Sequence, residues 1–156
     1  MNIDGVVDEW HHKHRCERGH TFALCIVGTH ANEAVYTILG LEVAVGIDDP
    51  NVAWYAAINE FGTDTIPQRS FLRSTFDENQ DNVISMYANR FNMTQSLLRA
   101  AEDTGDYLAM LVRAKIDNGN FTPNAPSTIR SKGSSRPLID TGRMQGSIRS
   151  IIRGAR

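Results

Sequence analysis

Alternating apolar and polar residues are clearest over residues 41–47, which read LEVAVGI. A period of two predicts a strand with one buried face. The apolar run 22–28 predicts a second strand able to pair with it, and 146–153 predicts a third. The connector 29–40 is too long for a tight hairpin. We therefore expect its apolar residues to extend the second strand: Tyr36, Ile38 and Leu39.

Apolar residues recur every three or four positions through the middle of the chain, which is the spacing of helices with one buried face. The pattern predicts helices over about 51–61, 75–92 and 95–118, with Gly62 and Gly119 as C-terminal stops. The buried face of the first helix is expected to carry four apolar residues: Val52, Tyr55, Ala56 and Ile58.

Three local signals refine the later helices. Ser74 followed by Asp77 resembles a capping box at the start of the second helix. Thr94 is placed to cap the third, and Gly105 is expected to loosen the middle of that helix.

These elements together predict an α+β fold. A small, mostly antiparallel sheet built from N- and C-terminal strands packs against central helices, and long irregular loops connect the elements. We expect a single domain over 1–156, in which 1–21 is an N-terminal extension or arm and 22–156 is the core.

Residues 120–145 form a basic stretch rich in small residues. Its prolines remove amide donors and its glycines permit positive φ, so the composition opposes regular structure. Long loops in compact domains usually carry function. The stretch is therefore predicted to be an irregular loop that binds a partner.

Composition narrows the class of protein. The chain has 156 residues, of which 41% are hydrophobic and 22% charged, as expected for one globular domain. A formal charge of -2 excludes a generally basic nucleic-acid-binding protein. We expect no membrane segment and no signal peptide, so Cys16 and Cys25 are expected to stay reduced in the cytosol.

Two ordered blocks of sequence carry a family resemblance. The first contains Asn59-Glu60-Phe61-Gly62-Thr63 followed by Pro67-Gln68-Arg69-Ser70-Phe71-Leu72-Arg73. The second contains Asn124-Ala125-Pro126 and then Pro137-Leu138-Ile139-Asp140-Thr141-Gly142, with Ser147-Ile148 beyond it. Together they resemble the tail-completion or virion-morphogenesis proteins of tailed bacteriophages, over about residues 41–152. One departure is Ser70, where such proteins often have a second proline.

The resemblance implies a structural protein of the virion, with no catalytic role. Family members complete or terminate the tail and join it to the head at the neck. Such a protein would form a homo-oligomeric ring, expected to be hexameric, between the head-tail connector and the tail tube. It would be assembled in the host cytoplasm. The loops 62–73 and 120–144 are the predicted interfaces.

The candidate interface residues lie in these loops, and all but Phe71 are charged. Eight are proposed to contact other subunits or partners: Arg69, Phe71, Arg73, Arg130, Lys132, Arg136, Asp140 and Arg143. The late basic side chains have three readings: a solvated face, contact with acidic surfaces of neighbouring subunits, or non-specific contact with the phosphates of DNA in a channel. For Arg69 and Arg73, a buried loop anchor and an interface role are weighted equally.

Candidate chemistry is weak elsewhere. Histidines and cysteines cluster near the N-terminus, at His11, His12, His14, Cys16, His20 and Cys25, but without the paired spacing of zinc sites. We therefore expect no metal and no cofactor. The usual catalytic motifs are absent, and no catalytic residue is assigned.

Two acidic residues lie inside the resembling blocks. Glu60 is expected to hold a loop amide or a basic partner, and Asp140 to close a side-chain turn, although a pair of catalytic carboxylates stays open. The alternative functions are a nucleic-acid-binding protein that uses the C-terminal basic cluster, and a small metal-dependent enzyme that uses the histidines.

Overall fold

The computed structural model describes residues 33–38 and 41–154, and every structural statement below concerns this part of the chain. The described part contains three strands and six helices. In chain order they are β1 (Glu33–Ile38), β2 (Leu41–Ile47), α1 (Pro50–Phe61), α2 (Arg73–Glu78), α3 (Gln80–Thr94), α4 (Leu97–Asn118), α5 (Pro126–Lys132), α6 (Arg143–Gly146) and β3 (Ile148–Gly154). This confirms the predicted α+β fold.

The three strands form one antiparallel sheet in the order β1-β2-β3. Ala44 in the central strand pairs with Val35 on one side and with Ile151 on the other. The prediction that the connector extends the second strand was therefore wrong, because residues 33–38 form a separate strand of a hairpin. The predicted strand 22–28, with its expected pairing to 41–47, lies outside the described residues.

The long helix α4 packs across one face of the sheet and contributes more buried hydrophobic residues than any other element of the described part. Val43 and Val45 of β2 are fully buried, as are Leu108 and Val112 of α4. A Cβ atom at Gly105 would lie 2.9 Å from the Cβ of Ser150. Gly105 therefore does not loosen the helix, and instead allows α4 to approach the sheet closely.

A buried aromatic pair connects the sheet to α2. The rings of Tyr36 and Phe76 are stacked with centroids 4.6 Å apart, and the Tyr36 hydroxyl donates to the Phe76 carbonyl at 2.5 Å. Burial, with a smaller effect from the charge of Asp77, raises the pKa of Tyr36 far above its usual value. The phenol therefore serves as a fixed hydrogen-bond donor in the core.

Helix α1 begins and ends where the sequence predicts. Asp49 caps it by accepting a hydrogen bond from the Asn51 amide, Pro50 occupies its first turn, and Gly62 ends it with φ 77°. Its buried face is different from the prediction, because Ala56, Ala57 and Glu60 are buried whereas Tyr55 is 58% exposed.

The later helices correct two predicted caps. Helix α2 begins at Arg73, and Ser74 lies inside it, where its hydroxyl donates to the Ser70 carbonyl. Ser96, and not Thr94, caps α4 by accepting from the Arg99 amide. Gly119 ends α4 as predicted.

The segment 120–145 contains more regular structure than its composition predicts. Helix α5 lies within it, with Pro126 in its first turn and Gly133 ending it at φ 68°. Proline at a helix start and glycine just after its end are standard boundary signals. The same residues that suggested irregularity therefore delimit a short helix.

None of the helices in the described part is long and apolar enough to cross a membrane.

Candidate functional site

The two blocks of sequence that carry the resemblance line a single open groove of about 550 Å³. One wall is formed by Val52 and Tyr55 of α1 together with residues 65–67 and Arg69. The opposite wall comes from residues 124–144, including Lys132, Leu138 and Arg143. Segments far apart in sequence thus form one concave surface.

Arg69 holds the two walls together. Its side chain is buried, with the residue only 6% exposed. Nε donates to the Thr122 carbonyl at 2.8 Å and Nη2 to the Pro123 carbonyl at 3.0 Å, while Nη1 donates to Oδ1 of Asn59 at 3.1 Å. Arg69 therefore joins the end of α1 to the chain just before α5.

Glu60 organises the other side of the loop. The residue is 2% exposed, and its carboxylate accepts from the Ser70 hydroxyl at 2.7 Å and from the amides of Leu72 and Arg73 at 2.8 and 3.0 Å. It also pairs with Nε of Arg73 at 2.9 Å. Because the first amides of a helix have no partner within the helix, this carboxylate takes the place of a local cap for α2. The expectation that Glu60 holds loop amides and a basic partner is confirmed.

Phe71 and Arg73 also point into the protein. Phe71 is fully buried in the core. The Arg73 guanidinium lies 4.6 Å from the centre of the Phe61 ring, in addition to its pair with Glu60. Arg69, Phe71 and Arg73 thus have the contacts of loop anchors, and their proposed contact with a partner stays a prediction.

Most of the late basic residues make contacts within the protein. Arg143 donates to Oδ2 of Asp49 at 2.6 Å, and Arg136 lies 3.4 Å from Oδ1 of Asp117. The Lys132 amine donates to the Arg136 carbonyl at 2.8 Å. Arg130 is exposed and has no hydrogen bond or ion pair among the described residues. These ion pairs reduce the charge available for an extended contact with DNA.

The structure brings only some of the predicted residues together. Arg69, Lys132, Asp140 and Arg143 line the groove, whereas Arg130 and Arg136 do not. Burial lowers the pKa of Lys132; the nearby carboxylate of Asp140 acts in the opposite direction and the charge of Arg69 adds to the lowering. Burial also lowers the pKa of Arg69.

Two expectations for Asp140 change. Thr141, and not Asp140, makes the side-chain turn, because its hydroxyl accepts from the Arg143 amide at 3.4 Å. Glu60 does not line the groove that contains Asp140, and its carboxylate is surrounded by donors from residues 70–73. The two acids therefore do not form a catalytic pair there.

Sequence reasoning missed two features of the groove. Tyr55 is exposed at its edge, although the helical pattern placed it in the core. Leu138 lies in the groove with φ 61°, a left-handed conformation that costs a non-glycine residue about 1 kcal/mol. The Pro137-Leu138 pair offers no sequence signal for that strain.

Metal ligands are not clustered in the described residues, where no group of three or more His, Cys, Asp or Glu side chains could hold an ion. The N-terminal histidines and cysteines from His11 to Cys25 lie outside the described residues.

Comparison with known proteins gives no relative: no family model, no curated protein and no solved structure matches the chain.

Proposed function

We propose that this protein is a structural virion protein of a tailed bacteriophage, located at the neck or the head-proximal end of the tail. It completes or terminates the tail and joins it to the head connector as a ring of identical subunits. Its action is assembly, and no chemical step is assigned to it.

The observation that carries the proposal is that residues of both resembling blocks line one groove. Arg69 of the first block also bonds to Thr122, 53 positions away and just before the second block. Residues that recognise a partner must lie on the same surface of the folded protein. Two blocks that are distant in sequence but line one groove meet this requirement, which supports the resemblance. The groove residues also include the strained Leu138, which is typical of a functional loop.

The surface beside the groove suits protein contact. Trp54 is 57% exposed next to the exposed Tyr55, and their rings meet edge to face with centroids 5.3 Å apart. Tryptophan and tyrosine are enriched at protein interfaces because they bury a large area with few rotatable bonds. A ring requires a head-to-tail contact that closes on itself, and this exposed aromatic pair can supply one side of such a contact.

The ion pairs of the basic segment favour protein contact over DNA contact. Arg136 and Arg143 are already paired with Asp117 and Asp49. A phosphate-binding track requires several unpaired cations in a row.

The test is negative-stain imaging of labelled, purified protein mixed with purified tails and, separately, with tail-less heads. We expect label at the head-proximal end of the tail or at the neck. A Trp54→Ser variant, changed at an exposed position, should keep the thermal stability of the parent and label fewer particles. Absence of label from both tails and heads contradicts the proposal.

A further inference from the structure

The guanidinium of Arg69 is a buried positive charge without a counter-charge among the described residues. All three of its hydrogen bonds go to neutral acceptors, namely two backbone carbonyls and the side-chain amide of Asn59. Buried charges are normally paired, because desolvation makes an uncompensated ion costly. Arg73, close by in the chain, shows the usual solution in its pair with Glu60.

Arg69 also retains donor capacity toward the groove. A guanidinium has five N–H groups, and three are used in the contacts above. The neighbouring Lys132 uses one of its three N–H groups for the Arg136 carbonyl. Both residues line the groove, so unused donors and positive charge lie along the same cavity.

The walls around these cations are mainly apolar. Ile66 and Pro67 line one side, and Leu138 and Met144 line the other, with Tyr55 at the edge. The only acidic residue among the groove-lining described residues is Asp140. An occupant complementary to this surface has a negative group flanked by apolar ones.

A carboxylate matches this site better than a phosphate backbone. The site is a concave groove in which one cation is deeply buried, whereas a duplex presents its phosphates as an extended row that is bound by several cations. The nearby cations that could extend a phosphate track, Arg136 and Arg143, are ion-paired within the chain. A single acidic side chain on an extended peptide segment can be bound by the groove alone, without further cations outside it.

We propose that the groove between α1 and residues 124–144 binds an acidic peptide segment of another virion protein, with one carboxylate held by Lys132 and Arg69. The identity of the partner as a virion protein rests on the proposed function, whereas the carboxylate specificity rests on the groove itself. Apolar residues on each side of the acid contact Ile66, Tyr55 and Leu138.

The test is an NMR titration of the full-length ¹⁵N-labelled protein with a blocked pentapeptide that has glutamate at its centre and valine at the other positions. We expect saturable shifts at groove amides such as those of Thr128 and Thr141. The same peptide with glutamine in place of glutamate should not bind. Inorganic phosphate and a short DNA duplex serve as competing probes.

Two variants with a matched control locate the binding. Lys132→Met should lower the affinity for the glutamate peptide about tenfold, equivalent to about 1.4 kcal/mol. Asp140→Asn should strengthen it by removing a like charge. Arg130→Met, on the same helix but outside the groove, should leave it unchanged.

Equal binding of the glutamine peptide, no saturable binding of the glutamate peptide, or no effect of Lys132→Met would overturn the carboxylate site. Stronger groove binding of phosphate or the duplex would overturn it as well. Because the titration uses the isolated protein, its failure is independent of the imaging result: label at the neck without peptide binding removes only the groove proposal.

Discussion

Glu60 and Arg69 lie at the two ends of the same loop, and both carry a buried charge. The protein stabilises these two charges in different ways. The carboxylate of Glu60 accepts from two amides, a hydroxyl and the Arg73 guanidinium. Arg69 donates only to neutral oxygens. We infer that Glu60 serves only to stabilise the fold. Arg69 also stabilises the fold, but its positive charge can in addition bind a ligand.

Replacing Glu60 by Gln should destabilise the protein by about 2–3 kcal/mol, because a largely buried ion pair with Arg73 is lost and the amides of Leu72 and Arg73 lose a charged acceptor. Glu78→Gln is the matched control, since Glu78 pairs with Lys115 at the surface and should cost less than about 1 kcal/mol. Urea denaturation measures both. Equal losses in the two variants would show that the Glu60 network contributes no more than a surface pair.

At the scale of elements, α1 and α5 both end at glycines with positive φ, but the two glycines differ in ψ and in their surroundings. Gly62 has φ 77° and ψ 176°, whereas Gly133 has φ 68° and ψ 13°, the left-handed helical conformation. A Cβ at Gly62 would lie 2.9 Å from the Gln68 amide nitrogen, whereas a Cβ at Gly133 would meet nothing within 4 Å. The end of α1 is therefore fixed both by backbone conformation and by the close return of the loop.

Gly133→Ala should cost about 1 kcal/mol, the strain of a left-handed alanine in open space. Gly62→Ala should cost more, about 2–4 kcal/mol, because the backbone at Gln68 must also move. Chemical denaturation of the two variants under identical conditions gives the comparison. If Gly133→Ala were the more damaging, crowding at the α1 end would not be a determinant of stability.

Elements with a strong local signal were predictable from sequence. The alternation in 41–47 and the Asp49, Pro50 and Gly62 signals around α1 gave the correct strand and helix. Strand β1 was missed because its alternation was read as a continuation of β2, and a strand is defined by its pairing rather than by its own residues. Helix α5 was missed because its proline and glycine were read as breakers rather than as boundaries.

The candidate site was only partly predictable. The binding of loop amides by Glu60 could be predicted from its position near a helix end. The interface residues rest on the resemblance and stay a prediction. The lack of a counter-charge at Arg69 depends on which oxygens the fold places around it, and no sequence pattern encodes that.

At the scale of the whole molecule, ion pairs fasten the C-terminal segment to the start of α1. Arg143 binds Asp49 across 94 positions, and Arg149 lies 3.3 Å from Asp48. The amide of Asn51 is the main cause of the lowered pKa of Asp49, and the Arg143 side chain adds to it, while desolvation opposes both. The ionised Asp49 therefore both caps α1 and holds the C-terminal segment against the start of that helix.

Because the pKa of Asp49 is lowered by folding, its contribution to stability is present above the ordinary aspartate pKa of about 3.9 and is lost as the pH falls further. Asp49→Asn should thus be less stable than the parent at about pH 6, and the difference should shrink in acid. Thermal unfolding of both proteins across this pH range measures it.

Arg143→Gln provides the control for that comparison. This variant removes the Arg143 side chain, which is a smaller cause of the lowered pKa of Asp49, and keeps the hydrogen bond from the Asn51 amide. Most of the acid dependence of stability that is assigned to Asp49 should therefore persist. The linkage would be contradicted if the difference in stability between the parent and Asp49→Asn stayed constant from neutral to strongly acidic pH.

The position of β3 in the sheet has a consequence for protein synthesis. Leu41 pairs with Gly154, so the central strand receives its second neighbour only after nearly all described residues have been translated. Until then, the valines of β2 lack the strand that completes their sheet, and folding must wait for a long-range pairing. A ribosome that stops before residue 148 releases a chain without a finished core. Quality-control proteases can remove such a chain.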